Sequence, residues 1–492
     1  MADRTEQVKT SGKSIWFRCP QSETCGGCQL LKLPYSAQLR KKQEWVESLL
    51  SAYGSVQPII GMENPKHYRN KVHAVFALDR ARKPVSGVYA AGTHHVVPVR
   101  HCLIENEKAD QIIASIVDLL PSFPWSIYNE HTHRGLLRHV VVRVSETTSQ
   151  VMVTLVTTSL EYPQQERFVE QLLRLHPDIT TIVLNANPRQ TSAVLGTQEK
   201  VIYGPGYIED LLCGKRFRIS SRSFYQVNSR QTEILYNTAI DLCQLTGTET
   251  ILDAYCGTGT IGICASDRAK QIIGVEINGK AVADAKINAE INQVKNAAFY
   301  TGDAGNYIAR LAAKNILPDL VIMDPPRSGC SDLFLNTVCS MSPKKLLYIS
   351  CNPESLARDL QSVLSRHYHV DAIIPVDMFP GTQHVEAVVQ LSKGNIQHKS
   401  VQVEYPLDDL DTSCLLNDAT YKQIQDYVLE HTGLKVSCLY IAQVKAKHGI
   451  IERECYNKPK TEGNRVPKCP PDKEKAIEDA LRHFQMIKTK EA

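Results

Sequence analysis

Ile251-Leu-Asp-Ala-Tyr-Cys-Gly-Thr-Gly-Thr260 decides the fold of this chain. An apolar run ends on an acid, two glycines follow in a short loop, and a helix-forming stretch, Thr260–Ala265, begins at once. Glycine reaches positive φ and lets backbone approach a ligand closely. The open end of a parallel sheet is where α/β folds hold nucleotides. The rhythm repeats downstream. Ile272–Ile277 reads as a strand and Lys280–Asn292 as a helix; Ala298–Tyr300 leads into Asp303. Leu320–Asp324 and Leu346–Ser350 read as buried strands, each followed by a helical stretch. His369–Pro375 and Glu386–Leu391 have no helix between them and read as a closing hairpin with one antiparallel strand. Repeated strand–helix units predict a parallel sheet covered on both faces, an α/β fold.

The acids at these strand ends define the ligand. Glu276 stands about 20 residues beyond the glycine loop, where a carboxylate bridges two ribose hydroxyls. Asp303, one strand further on, is placed to hold an adenine amino group. The loop carries no Gly-Lys-Ser/Thr phosphate cradle, and it lacks the full pattern of dinucleotide binders. An acid leading a glycine loop suits a cationic ligand without phosphate, such as S-adenosylmethionine.

The next strand ends carry reactive groups. Asp324-Pro-Pro-Arg327 ends the fourth strand, and Cys351 follows the fifth in Ile349-Ser-Cys-Asn-Pro353. A thiolate at that position would point into the ligand crevice as a nucleophile. Glu386 enters the last strand, and carboxylates rarely sit inside a fold without a task. It is the candidate general base, with His384 as competitor. Where amino-methylating enzymes place a base-stacking aromatic after Asp/Asn-Pro-Pro, this chain has Arg327, which suits a phosphate contact.

Upstream, the chain divides differently. Residues 1–18 are polar and read as a disordered N-terminus. Residues 19–219 read as an α+β domain: a Cys/Gly loop, a helix from Ser36 to Leu50, then short β-branched strands Val72–Ala77, Val140–Val144 and Val151–Val156 with helices Asp110–Leu120 and Glu166–Leu175. Residues 220–393 form the nucleotide-binding domain. Residues 394–492 read as an acidic linker and a helical extension. Thr420 caps its first helix, Gly433–Ser437 is a turn, Ser437 caps a second helix to about Lys447 that Gly449 ends, and Glu474–Phe484 forms a third. The spacing is helix-turn-helix-like, and Lys445–Lys468 carries seven Lys/Arg against three Glu.

With 492 residues and a formal charge of +4, any basic surface must be local. No stretch nears the roughly 18 apolar residues of a membrane helix, and the N-terminus lacks a signal-peptide core, so the expected location is the cytoplasm. Fifteen cysteines, an odd number, argue against a disulfide framework. Three fall as Cys19-x5-Cys25-x2-Cys28, with Cys102 far downstream, as in a metal or cluster ligand set.

Taken together, these residues resemble the RNA uracil-5-methyltransferases, most of all the iron–sulfur branch acting on 23S ribosomal RNA. The resemblance rests on the four cysteines, Ser223-Phe-Tyr-Gln-Val-Asn228, the glycine loop, Asp324-Pro-Pro-Arg327, Ile349–Pro353 with Leu356-Ala-Arg-Asp-Leu360, and Asp377-Met-Phe-Pro380 running to Glu386, and it spans roughly residues 16–392. It implies a class I S-adenosylmethionine-dependent methyltransferase, a Rossmann-like seven-stranded sheet, with an N-terminal α+β iron–sulfur and RNA-binding domain and a small helical C-terminal extension. Gln226, Tyr255, Thr260, Glu276, Asp303 and Asp324 then correspond to S-adenosylmethionine contacts, Cys351 to the nucleophile and Glu386 to the base. Thr260 stands where some relatives carry asparagine. Cys19, Cys25, Cys28 and Cys102 correspond to ligands of a [4Fe-4S] cluster. Four-thiolate zinc is the alternative, but a short loop plus one remote cysteine fits the cluster better. Four thiolates would leave no open iron site, so the expected role is structural or RNA-docking. Many relatives begin with a small β-barrel RNA-binding domain. Here 18 residues precede Cys19, so RNA affinity is expected from elsewhere, the C-terminal extension included. The expectation is a monomer that methylates uridine C5 in 23S rRNA. The same reaction on a tRNA T-loop and a non-catalytic iron–sulfur RNA-binding protein are the competing readings.

Overall fold

Helix α1 (Tyr35–Leu50) is the first regular element of the computed structural model, which describes residues 15, 17–191, 193–394, 421–448, 469–484 and 486. It begins one residue before the expected start at Ser36. Pro34 occupies the N-cap position in extended conformation and no side chain caps the helix, because proline's fixed φ and missing N–H suit a helix start. Ser36 lies inside the first turn.

The chain then builds a mixed sheet from β1 (Lys71–Leu78), β2 (Pro84–Tyr89), β3 (Val96–Pro98), β4 (Leu137–Val144), β5 (Val151–Thr157), β6 (Ile179–Ala186) and β7 (Gln198–Tyr203). Its order is β3-β2-β1-β4-β5-β6-β7, and the β5–β6 pair alone is parallel. One face takes Val72, Ala74, Phe76, Val140 and Val142 into a core with α2 (Glu107–Leu119) and α3 (Gln165–Leu175). A hairpin of β8 (Tyr207–Leu212) and β9 (Lys215–Ser220) follows.

The second sheet contains β10 (Thr250–Asp253), β11 (Gln271–Glu276), β12 (Ala297–Thr301), β13 (Leu320–Met323), β14 (Lys345–Ser350), β15 (Tyr368–Val376) and β16 (Glu386–Lys393), in the order β12-β11-β10-β13-β14-β16-β15. Strands β10 to β14 pair in parallel, while β16 runs antiparallel between β14 and β15. Helices α4 (Ser229–Leu242), α5 (Thr260–Ala265), α6 (Gly279–Ile291), α7 (Ala304–Ala313), α8 (Asp332–Met341) and α9 (Pro353–Leu364) alternate with the strands. Two apolar clusters containing alternate residues of the same strands, such as Ile251 against Leu252 and Leu347 against Leu346, cover its two faces. The central strands are accordingly apolar at nearly every position, as both-sided burial requires.

Helix α1 joins this second sheet. Val46 and Leu50 enter its core with Ile373, and the stretch after α1 bridges β15 at Val56–Ile373 and Ile60–Val376.

Residues 1–397 cluster as one compact unit and 398–492 as another. In the latter, α10 (Tyr421–Thr432), α11 (Cys438–Lys447) and α12 (Pro471–His483) enclose Ile424, Val428, Ile441, Val444, Ile477 and Leu481. Gly433 takes φ +69 in the turn, and the Ser437 hydroxyl accepts the Tyr440 N–H at the start of α11, as the sequence predicts. The expected cap Thr420 and stop Gly449 lie outside the described residues, as does most of the expected disordered N-terminus. No helix among the described residues is long and apolar enough to cross a membrane.

Candidate active site

Because β10 to β14 are parallel, their C-terminal ends share one edge, and the antiparallel β16 begins at the same edge. In spatial order this edge presents Asp303 after β12, Glu276 at the end of β11, the glycine loop after β10, Asp324 after β13, Cys351 after β14 and Glu386 at the start of β16. Chain order reverses between β10 and β13, and there the crevice opens.

The half around the glycine loop is built on backbone geometry. Gly257 has φ +54 and its missing side chain would face open space; Gly259 has φ +80, where a Cβ would lie 3.0 Å from the Phe299 ring. The first glycine leaves room for a ligand and the second lets the helix pack on the sheet. Glu276 accepts the Gly257 N–H at 3.2 Å and the Asn278 N–H at 2.8 Å, which fixes its carboxylate beside the loop. Asp303 is exposed and caps α7 through the Asn306 N–H. Tyr255 is half-buried, its ring 5.5 Å from that of Phe334, and burial pushes its hydroxyl pKa up. The Thr260 hydroxyl lies 3.3 Å from that of Tyr236. Gln226 is buried just before α4; its backbone carbonyl accepts from Asn70 at 3.0 Å. The motif around it is pinned by Ser223 donating to Asp284, Tyr225 to Asp210, and Asn228 to the Met378 carbonyl.

Asp253, the acid that leads the loop, turns inward. It is fully buried, one carboxylate oxygen accepts the Gly262 N–H at 3.1 Å, and the other has no partner. Burial first, then the neighbouring Asp324, pushes it up to about 7. These residues fit a cationic nucleoside: open space over Gly257, carboxylates on both sides and uncompensated negative potential beneath.

The half from Asp324 to Glu386 gathers more acid. Ser350 pairs with Ala387 as the last pair of β14 and β16, so Cys351 and Glu386 are the residues adjoining that pair. Burial pushes Asp324 up to about 7. Glu386 is 4% exposed, and burial followed by Asp324 drives its pKa well up, with Arg327 opposing. Among the described residues none donates a hydrogen bond to the Glu386 carboxylate. Cys351 is half-buried, and burial, Glu386 and Asp324 together raise its thiol to about 11 against the pull of Arg327. Arg327 Nη2 lies 3.4 Å from His384 Nε2, and its carbonyl accepts from Asn352 at 3.1 Å. Burial lowers the His384 pKa, with Arg327 next in effect.

Sequence reading missed Tyr236. It is fully buried on α4, touches Thr260, and its hydroxyl pKa is driven up by burial and then by Asp324. A tyrosine on an amphipathic helix reads as core, so no local signal marked it.

The cysteine set lies beyond the β15–β16 hairpin. Cys19, Cys28 and Cys102 pack against one small cluster with Phe17, Leu31, Tyr35, Tyr68 and Ile104. Burial raises the Cys28 thiol to about 12, with Cys25 and Cys19 adding to it, and raises Cys25 with a contribution from Cys19. Among the described residues no three His, Cys, Asp or Glu side chains close into a group that would hold a metal ion. Four thiols are the chemistry that a thiolate-bound group takes, while the closed ligand geometry is absent among the described residues.

Sheet order, glycine loop and strand-end acids define a class I S-adenosylmethionine-dependent methyltransferase. The family model for tRNA (Uracil-5-)-methyltransferase matches residues 34–394. An uncharacterized RNA methyltransferase of Halalkalibacterium halodurans is 40% identical over 393 residues, 79% of this chain and 86% of that protein. One from Staphylococcus aureus is 40% identical over 375 residues, 75% of this chain and 83% of its own. Among solved structures, the Pyrococcus abyssi tRNA (uracil-54, C5)-methyltransferase in complex with S-adenosyl-L-homocysteine superposes with a TM-score of 0.62 at 25% identity, covering 75% of this chain and 86% of that one. The chain belongs to the RNA uracil-5-methyltransferase family: it is an S-adenosylmethionine-dependent enzyme that methylates uracil C5 in RNA.

Proposed function

We propose that this enzyme methylates uridine C5 of 23S ribosomal RNA through a covalent Cys351–C6 adduct, with Glu386 removing the C5 proton. The single observation that supports the mechanism is that Cys351 and Glu386 stand next to the last β14–β16 pair, Ser350 with Ala387, with Glu386 and Asp324 both acting on the thiol. Uracil C5 is a weak nucleophile. Addition of the Cys351 thiolate forms an S–C6 bond and moves the C5=C6 electron pair into an enolate. C5 then takes the methyl group, and the S–CH3 electron pair stays with the donor's sulfur. Glu386 accepts the C5 proton; that C–H pair rebuilds C5=C6 as the C6–S pair returns to Cys351. Holding thiol, base and donor in line supplies much of the rate gain. A base in a stack cannot be reached from its face, so the uridine must be extruded or looped.

Gln226, Tyr255, Thr260, Glu276, Asp303 and Asp324 are the proposed S-adenosylmethionine contacts; the donor's sulfonium also supplies positive charge that offsets the acids around Cys351. Cys19, Cys25, Cys28 and Cys102 are proposed to hold a [4Fe-4S] cluster in a structural or RNA-docking role, supported by their shared environment. Iron and sulfide in anaerobically purified protein support this; stoichiometric zinc refutes it.

The choice of rRNA rests on the resemblance of the cysteine set. The same reaction on tRNA is the second reading, favoured by the tRNA substrate of the Pyrococcus abyssi enzyme. Methyl-labelled donor offered to unmodified 23S rRNA and to tRNA side by side, with the product mapped, decides between them. Label on tRNA alone overturns the rRNA assignment, and label on nitrogen or ribose overturns the mechanism.

A further inference from the structure

The loop between β15 and β16, residues 377–385, ends directly at Glu386, and side chains of α1 and α4 hold it. Lys42 on α1 donates to Asp377 Oδ1 at 2.6 Å and to the Phe379 carbonyl at 3.0 Å. Tyr35, also on α1, donates to Asp377 Oδ2 at 2.9 Å. Lys42 and Asp377 are 1% and 0% exposed. Gln231 and Asn228 at the start of α4 hold the Asp377 and Met378 carbonyls, Tyr68 the Pro380 carbonyl, and Gln38 the Gly381 N–H. The Leu30 N–H bonds the Gly381 carbonyl at 2.9 Å.

A buried ion pair is a poor source of net stability, because desolvation offsets most of the attraction. Here it fixes geometry. Val376 pairs with Glu386 at the neck of the hairpin, so Asp377 is the first residue beyond that pair and controls how the neck is set. Cys351 is held by other means: β14 pairs with β13 and β16, and Asn352 caps α9. The network bonds the neck of the base strand directly and meets Cys351 only at a remove, through His384, Arg327 and Asn352.

We propose that Lys42, with Tyr35 and Asp377, is a positioning element for Glu386, serving proton removal and adduct release rather than thiol addition and methyl transfer. This inference rests on the covalent reading proposed above. It assigns α1, which lies outside the nucleotide-binding domain in sequence, a part in the second half of the reaction.

The test is single-turnover methylation of an RNA substrate with labelled donor, quenched in denaturant, scoring label in protein-linked RNA and in free RNA. Lys42→Met, the pair-replacing double variant Lys42→Met/Asp377→Leu, and the milder Tyr35→Phe are compared with wild type, each normalised to its S-adenosylhomocysteine-binding fraction. Labelled adduct is expected to form within about 3-fold of the wild-type rate, and to resolve about 100-fold more slowly in the Lys42 variants, as for a group displaced by an ångström. Tyr35→Phe shifts the same ratio by less. Equal slowing of both steps, or release at the wild-type rate, overturns the inference. Glu386→Gln run in parallel separates the two claims. If it accumulates no adduct, the covalent reading itself falls; if it does while Lys42→Met releases normally, only the positioning role falls.

Discussion

The two seven-stranded sheets bury opposite charge in opposite ways. The parallel sheet collects acid at one edge: Asp253 and Asp324 are pushed to about 7 and Glu386 well up, burial being the leading cause of each. The mixed sheet collects base on the face turned from its apolar core. Lys71 stands opposite Arg143, and Val75 opposite His139, with His73 between. Burial and then like charge lower Lys71 to about 8, His73 to about 4 and His139 to about 3. His73 Nε2, His139 Nδ1 and Arg143 Nη1 have no hydrogen-bond partner. Each sheet thus holds groups that repel one another in a dry place, which weakens the fold. A ligand of positive charge would relieve the first set and one of negative charge the second. The difference teaches that strand direction decides where such groups meet: parallel strands bring side chains together at their ends, antiparallel neighbours bring them together on a face.

The sharpest way to break the comparison is at the acid edge. Cys351→Ala is expected to abolish methyl transfer, a loss of about 10⁴-fold or more on removal of a covalent nucleophile. Residual turnover above about one part in 10³ would make the edge an ordinary acid–base site. The high thiol pKa adds a second readout. With a value of about 11, thiolate is scarce near neutrality, so iodoacetamide inactivation should quicken as pH rises toward it. Donor with its sulfonium should speed inactivation more than neutral S-adenosylhomocysteine. Equal rates would remove the electrostatic argument.

At the basic face the expected effect is smaller. Lys71→Met removes a half-buried cation repelled by Arg143 and Arg69. If the face meets RNA phosphate, affinity should fall about 5- to 10-fold and the salt slope by about 1, uniformly across sequences. The variant should also melt higher than wild type. A higher melting temperature with unchanged RNA affinity would mean the face is strained for no RNA-related reason.

The acid edge was legible and the basic face was not, for a physical reason. Each strand of the parallel sheet is an apolar run closed by one polar residue, so Asp253, Glu276, Asp324 and Ser350–Cys351 announce their own position. In β1, Lys71 and His73 alternate with Val72 and Ala74, the signature of a sheet with one solvated face; that Arg143, opposite Lys71, is buried depends on distant residues, the Ser223 carbonyl it donates to and the Tyr225 ring it lies over. The same limit hid the hairpin clamp. Lys42 sits in the run Arg40-Lys-Lys42, which reads as a solvated helix face, yet it is 1% exposed against Asp377, 335 residues away. Local pattern located the strand-end side chains; pairings across hundreds of residues, which hold them, left no periodic trace.

The smallest effect probes what the acid edge does to the fold. Asp324 has a folded pKa of about 7 against an ordinary 3.8. Between those values the folded protein binds more protons here than the unfolded chain, so this group makes stability fall as pH rises from about 4 to about 7, and the penalty is constant above that. Asp324→Asn removes the charge and keeps the shape. It should raise the melting temperature by a few degrees at pH 8, with little or no gain at pH 4, where the native carboxyl is already neutral. A gain of equal size at both pH values would trace to packing. No gain at pH 8 would mean that water or Arg327 already compensates the carboxylate, and the acid edge would then lack the uncompensated charge that a cationic donor relieves.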